Sequence, residues 1–285
     1  MVGLHMQRIL KTIGLEGFVM KDQFIMRVRS IDKRIAEKKA GLKRNHIIKK
    51  SNKILKRIKL AHEGQRCYII GNGPSLRVDD LNKLKSSITF ATNRIYRVFG
   101  QTNWRPTYYC VQDFELIKNS AFEINKVAAK KRFVGYYDNS EFDLLRRFAF
   151  IRLYLKPFYP DYPRFSEDLL FGIYEGFTVT YMCIQIAAFM GFREIVLLGI
   201  DHNYSAEILP NGHIKHNNLE KDHFDVNDKV DNLPQLYKST LAYKAAKQYC
   251  EKNSIRVYNA TRGGKLDVFE RVCFDDIIDN DIIKS

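Results

Sequence analysis

From Arg66 onward the chain repeats one pattern: a short apolar run rich in β-branched and aromatic residues, then a stretch with helical spacing. The runs are Cys67–Ile70, Ile88–Thr92, Thr107–Val111, Arg132–Tyr136, Phe150–Tyr154, Glu194–Leu198 and Ile255–Tyr258. Each has the length usual for a strand and is too short for a helix. The helical stretches between them are clearest at Thr178–Met190 and Leu236–Glu251. Gly191 follows the first as a helix-ending glycine, and Pro234 precedes the second. Strand and helix alternating in this way predict an α/β fold, a mostly parallel sheet with helices on both faces. Residues 205–233 break the alternation. They are polar and irregular, so they read as a long loop that is either functional or mobile.

The segment ahead of Arg66 has a different texture. Residues 1–62 lack proline and carry 17 Lys/Arg against four Asp/Glu, while the rest of the chain carries 30 against 28. The net charge of +15 therefore belongs to an N-terminal arm, 1–62, and the domain at 63–285 is close to neutral. Apolar residues such as Ile9, Leu10, Ile13, Ile47, Ile48, Ile54, Leu55 and Ile58 recur among the basic ones, so the arm reads as a basic amphipathic helical segment. Gly14, Gly17 and Gly41 interrupt it, which argues against one long coiled coil. Such a segment suits an anionic membrane surface. A solvated helical arm explains it equally well, and phosphate contact with nucleic acid is the weaker third reading. A near-neutral domain argues against nucleic acid as a partner of the domain itself. No apolar run is long enough to span a bilayer, and no signal-peptide pattern opens the chain. Five widely spaced cysteines form no CxxC pair, which suggests buried free thiols in a reducing cytoplasm and no zinc site.

In an open α/β sheet, ligands bind beyond the carboxyl ends of the strands. Five exits here hold small polar residues: Gly71-Asn72-Gly73-Pro74-Ser75, Asn93-Arg94, Gln112-Asp113, Gly199-Ile200-Asp201-His202-Asn203-Tyr204, and Asn259-Ala260-Thr261-Arg262-Gly263-Gly264. The first suits a phosphate or nucleotide. Its glycines allow close backbone approach and positive φ, and Ser75 is placed to cap the next helix. It is neither a GxGxxG fingerprint nor a Walker A loop, and its plain alternative is a tight strand-to-helix turn. His202 and His223 are candidate acid–base groups, although a lone histidine is more often a surface or satisfied residue. His213/His216 and Asp279/Asp281 look like metal ligands only superficially. No DxD motif sits at a strand exit.

The segment Tyr68–Leu76 resembles the opening strand and loop of the MptE-like family. That family takes in archaeal 6-hydroxymethylpterin diphosphokinases, flagellar motility accessory factors and proteins of surface-polysaccharide gene clusters. The segment is also similar to bacterial CMP-sialic-acid-dependent sialyltransferases of lipooligosaccharide synthesis. Matches continue in order through Asn93, Thr178–Cys183, Gly191–Ile195, Gly199–Asp201, Asp222–Phe224, Tyr258–Leu266 and Val268–Arg271. They cover about residues 66–276 and leave the basic arm outside. The resemblance implies a Rossmann-like nucleotide-binding domain in which Gly71–Ser75, Asn93 and Thr178 hold CMP and His223 is the general base. It also implies inverting transfer of an acidic sugar from a CMP-sugar donor to a glycan acceptor, with no metal or other cofactor required.

Asp113 and Asp201 complete the expected nucleotide site, and His202 and Tyr204 are candidate substrate contacts. Two departures from the sialyltransferase pattern stand out. Gln112-Asp113 replaces an asparagine, and Asn203-Tyr204 stands where a tyrosine follows the glycine–aspartate motif. Asp113 could accept from a ribose or sugar hydroxyl. It could also hold Mg²⁺ with Asp201, which would favour pyrophosphate transfer from ATP to a pterin alcohol. A non-catalytic nucleotide-sugar-binding factor is the third reading. The expected location is cytoplasmic, with peripheral attachment to the inner membrane through the arm.

Overall fold

All seven apolar runs are strands, and every pairing among them is parallel. The computed structural model describes residues 38–39, 41–137, 143–155, 164–217, 221–225 and 233–278. The chain divides into Met1–Ile47 and Ile48–Ser285, upstream of the 62/63 boundary that the charge distribution marks. In the first unit the described residues, 38–39 and 41–47, are helical. Most of the arm, 1–37 and residue 40, lies outside the described residues.

The second unit opens with helix α1, residues 48–58. The strands are β1 (Arg66–Ile70), β2 (Thr89–Thr92), β3 (Tyr108–Val111), β4 (Lys131–Tyr136), β5 (Ala149–Tyr154), β6 (Ile173–Tyr174), β7 (Glu194–Leu198), β8 (Ala206–Ile208), β9 (Ile214–His216), β10 (Arg256–Asn259) and β11 (Glu270–Arg271). The further helices are α2 (Val78–Lys83), α3 (Phe114–Lys126), α4 (Val179–Phe189) and α5 (Leu236–Lys252). Nine strands form one sheet in the order β11-β10-β7-β1-β2-β3-β4-β5-β6. The chain walks outward from β1 to β6, then returns to β7 on the other side of β1. The strand order therefore reverses between β1 and β7, where a ligand crevice is expected.

Both faces of this sheet are covered. Successive strand side chains point to opposite faces, yet every residue of β2 and β3 is buried, and so are Cys67–Ile70 of β1. On one face Cys67, Ile69, Phe90, Cys110 and Phe133 pack in a single core with α4, whose residues are buried nearly all round. Gly191 (φ +89°) ends α4 in a Schellman motif: its N–H donates to Ala188, and the Phe192 N–H donates to Ala187 at 3.2 Å.

Two expectations change. Residues 205–233 are not one irregular loop, because β8 and β9 pair antiparallel as a hairpin within them. Part of the apolar stripe of the basic segment also faces inward: Leu55 and Ile58 of α1 join the core, and the Phe150 N–H donates to Ser51 Oγ at 2.9 Å. As for the thiols, Cys67, Cys110, Cys183 and Cys250 are buried and free, while Cys273 is exposed.

Candidate functional site

The exits of β1 and β7 run side by side. The Gly71 N–H donates to the Leu198 carbonyl at 2.8 Å, and the Gly73 N–H donates to the Gly199 carbonyl at 2.9 Å. A Cβ on Gly71 would collide with Gly199 and Ile200, and one on Gly73 would fall on the Asp201 carboxylate. Close approach to β7, and not positive φ, is therefore why this loop needs glycine; the positive φ belongs to Gly199 (+68°). Pro74 and Ser75 form a turn closed by the Leu76 N–H to the Gly73 carbonyl. Ser75 does not cap α2, whose cap is Arg77. Its hydroxyl instead donates to Asp201 Oδ2 at 2.8 Å. Leu76 and Arg77 separate this turn from α2, a six-residue helix.

A cavity of about 440 Å³ opens above these strand ends. Gly71, Asn72, Gly73, Asn93, Asp113, Thr178, Asp201, His202, Tyr204 and His223 all line it, whereas Pro74 and Ser75 do not. The exit of β10 stays out as well. Its Thr261 hydroxyl accepts from the Ile200 N–H at 3.0 Å, Asn259 braces Thr261, and the Lys265 N–H donates to the Asp201 carbonyl at 2.7 Å. Since β10 lies beyond β7, its exit buttresses the β7 loop from behind.

Several lining groups are fixed by identifiable contacts. Asn72 Nδ2 donates to the Thr92 carbonyl at 3.0 Å, and its Oδ1 is buried with no partner among the described residues. Asn93 stands at φ +45°, its carbonyl held by the Tyr109 hydroxyl at 2.5 Å and its Oδ1 likewise unpartnered. Phe177 (+54°) and His202 (+52°) share this left-handed backbone, so three of the six described non-glycine residues with positive φ line one cavity. Such conformations are sustained where the surroundings over-determine them, commonly at ligand sites.

Helix ends supply the rest. Asp113 caps α3, accepting from the Leu116 N–H at 3.0 Å. Thr178 caps α4, accepting from the Thr180 N–H at 3.3 Å, and the lining includes Thr178, Val179 and Thr180. The positive end of α4 thus borders the cavity, with Thr178 engaging the Thr180 and Tyr181 N–H groups and Val179 standing ahead of them.

The late segment reaches the glycine loop. The Phe224 N–H donates to the Asn72 carbonyl at 2.9 Å. Asp222 accepts from the Ser205 N–H at 2.5 Å and its hydroxyl at 2.7 Å, and Arg97 pairs with Asp225 at 3.0 Å. These contacts set His223 at the cavity, its ring edge-on to Tyr204 with centroids 6.0 Å apart.

The titrating groups differ in character. Burial pulls His202 down to about 4, against the pull of Glu207 and Asp267, and its Nε2 lies 2.8 Å from the Thr240 hydroxyl. His202 is therefore a neutral hydrogen-bonding group at neutral pH and a poor base. Burial raises Asp201, opposed by its bonds with Ser75. Burial also pushes Tyr204 up, so its phenol stays protonated.

Sequence reasoning missed Glu175. It is buried, lines the cavity and is pushed up to about 7 by burial, opposed by the Phe177 N–H and Lys238. The strand it follows, β6, has only two residues, too few for any periodicity to mark. Among the described residues, no three His, Cys, Asp or Glu side chains form a metal-binding group. Asp279 and Asp281 lie outside the described residues. No described helix is long and apolar enough to cross a membrane.

Comparison with known proteins adds the family. A search of curated proteins gives no match. Among solved structures, the MAf glycosyltransferase from Magnetospirillum magneticum AMB-1 is similar at 14% identity and a TM-score of 0.48. The match covers 84% of this chain and 40% of that one. The model of the family described as 6-hydroxymethylpterin diphosphokinase MptE-like matches residues 42–207. The match reaches back into the basic segment, so residues 42–62 belong inside the resemblance that the motifs had started at 66. With more than half of its length matched, from α1 through the β7 exit, the chain belongs to the MptE-like family.

Proposed function

We propose that this protein is a glycosyltransferase of bacterial surface-glycan assembly. In this reading it transfers an acidic sugar from a CMP-sugar donor by metal-independent inversion. One observation carries it. The Phe224–Asn72 bond holds His223 at the glycine loop, on the same cavity as the N-terminal amides of α4. A base and an anion-binding helix end facing one space suit a displacement at a carbon bearing a phosphate leaving group.

The reaction then runs as follows. His223 takes the proton of the acceptor hydroxyl as its oxygen bonds to the anomeric carbon. The bond from that carbon to the CMP phosphate oxygen breaks, and CMP leaves with the electron pair. Val179 presents its amide to the phosphate, while the Thr180 amide stays with its cap, Thr178. Asn72 and Asn93 offer buried acceptors to ribose or base donors, Asp113 and Asp201 accept from hydroxyls, and His202 and Tyr204 orient the sugar.

A second reading has one favouring observation: Asp113 and Asp201 line the same cavity. In a diphosphokinase the pair would hold Mg²⁺ through their carboxylates, Asp201 while still bonded by Ser75.

Thermal shift with CMP, CDP, ATP and GTP, each with and without Mg²⁺, separates the readings. A Mg²⁺-independent shift with CMP is expected, whereas a shift only with ATP and Mg²⁺ overturns the glycosyltransferase reading. His223→Ala should abolish transfer and leave CMP binding intact; lost binding would remove its assignment as base. The basic arm would place the enzyme on the anionic inner leaflet, each Lys/Arg near the surface adding about 1 kcal/mol. If residues 48–285 pellet with anionic vesicles as strongly as the full chain, residues 1–47 are not the anchor.

A further inference from the structure

Glu175 belongs to a stretch with little freedom. Gln185, fully buried in α4, accepts from the Tyr174 N–H at 3.1 Å and donates to the Tyr174 carbonyl at 2.9 Å. This pins β6 immediately ahead of Glu175. Gly176 then packs so tightly on the Tyr181 ring that no Cβ would fit. Phe177 adopts left-handed φ, and its N–H donates to Glu175 Oε1 at 2.7 Å. Thr178 follows as the cap of α4. The carboxyl is thus locked beside the helix end that would receive a phosphate.

The other oxygen has no such engagement. Glu175 is only 8% exposed, and Oε2 is buried without a hydrogen-bond partner among the described residues. Leaving a buried polar atom unpaired is costly, and such atoms call for a ligand or a functional reason. A carboxylate here would sit beside the anion-receiving amides and repel the anion. A carboxylic acid would instead offer an O–H to it.

We propose that Glu175 contacts the bound nucleotide as a neutral carboxylic acid, donating from Oε2 to an acceptor oxygen of the ligand. The proposal rests on the nucleotide reading of the cavity. The groups facing Glu175 support the neutral form. The Tyr137 phenol, from the β4 exit, feels the charge of both Glu175 and Asp113, the cap of α3. Lys238 of α5 pulls the other way, and burial outweighs it, so the acid titrates at about 7. Tyr137 stays protonated, raised chiefly by burial. Ligand that binds only the acid form loses apparent affinity as the pH climbs past that value, because the competent fraction shrinks.

The test measures Kd for CMP by calorimetry between pH 6 and 8.5, in wild type and in Glu175→Gln. Glutamine keeps an acceptor for Phe177 and a permanent donor for the ligand. With the acid titrating at about 7, wild-type affinity should fall roughly thirtyfold more than that of E175Q over this range. At pH 8.5, E175Q should be the tighter binder. Wild type should also take up protons on binding at pH 8, seen as a dependence on buffer ionisation enthalpy, and E175Q should take up fewer. Equal pH profiles, or weaker binding by E175Q at every pH despite an unchanged melting curve, overturn the proposal. If CMP fails to bind and ATP binds, the glycosyltransferase reading falls, and the same comparison with ATP decides the role of Glu175. If no nucleotide of the panel binds, both fall.

Discussion

Replacing Gly73 by alanine tests the contact between the β1 and β7 exits. Built on this backbone, the new Cβ meets the Asp201 carboxylate and comes 2.8 Å from the Gly199 carbonyl oxygen. Asp201 cannot turn aside freely, because it is only 9% exposed and its Oδ2 holds the Ser75 hydroxyl at 2.8 Å. If it rotates, a hydrogen bond to a charged acceptor is lost, at about 1.5–3 kcal/mol. If the loops part, the Gly73–Gly199 bond breaks at about 1 kcal/mol, and overpacking adds about 1–3 kcal/mol. The expected loss is about 2–4 kcal/mol, or roughly 5–15 °C in melting temperature for a domain of this size. Urea unfolding and a thermal scan read it directly. Gly100→Ala is the control, since nothing lies within 4 Å of its Cβ position and its φ is not positive. CMP affinity should fall with G73A, because Asn72 and Asp201 move together. Stability within about 0.5 kcal/mol of the control would refute the close approach, and with it the reason for glycine at 73.

Asn93→Ala should cost about 1–2 kcal/mol, because alanine lacks the local compensation asparagine has in left-handed backbone, whereas Asn93→Gly should be nearly neutral in urea unfolding. Both should weaken CMP binding by removing Oδ1, and unchanged affinity in either would take Asn93 out of the site. His202 and Glu175 should oppose each other in the pH dependence of stability. Between about pH 4.5 and 6.5 the unfolded chain binds a proton at His202 that the folded chain refuses, and the folded chain keeps one at Glu175 that the unfolded chain releases. Relative to wild type, His202→Gln should therefore make stability fall with rising pH by about 1.4 kcal/mol per unit in this window, and Glu175→Gln should make it rise by as much; unaltered slopes would refute both assignments.

The regular parts of the fold were legible because they are dictated locally. Buried parallel strands need continuous apolar runs, and β1, β3 and β7 show them plainly. The edges did not announce themselves. Two-residue strands such as β6 and β11 carry no periodicity, and β6 exists through tertiary pairing with β5, with Gln185 of α4 bonding both backbone groups of Tyr174. That hid Glu175. The glycine loop was found for a partly mistaken reason. Its composition suggested conformational freedom, while the structure needs absence of bulk against β7, a tertiary fact. The β10 exit shows the limit of reading exits by composition. Asn259 and Thr261 have the chemistry of ligand contacts, but strand order puts them behind the β7 loop. For the basic segment, charge pattern alone could not separate Leu55 and Ile58, which face the core, from residues free to meet a surface.

The charge of the cavity bears on what it can hold. Among its described lining residues Asp113, Glu115, Glu175, Asp201 and Asp222 face only one guanidinium, Arg94. Two like charges 4 Å apart repel by about 4 kcal/mol at an effective dielectric of 20, so an array of free carboxylates would reject a phosphate. Four of these five are not free. Asp113 is tied to the Leu116 amide, Asp201 to Ser75 and Asp222 to Ser205, while Glu175 is tied to the Phe177 amide and stays neutral up to about pH 7. What they retain is acceptor capacity. The N-terminal end of α4, beside Glu175, adds the complementary positive charge. Such a cavity suits a ligand that is anionic at one point and rich in hydroxyl or amino donors elsewhere, which is the pattern of a nucleotide. An isolated anion would meet the residual repulsion without the compensating bonds, and a bare nucleoside would forgo the helix end. On the proposed nucleotide reading, the lining would favour phosphate and ribose held together, whichever group the nucleotide carries into the reaction.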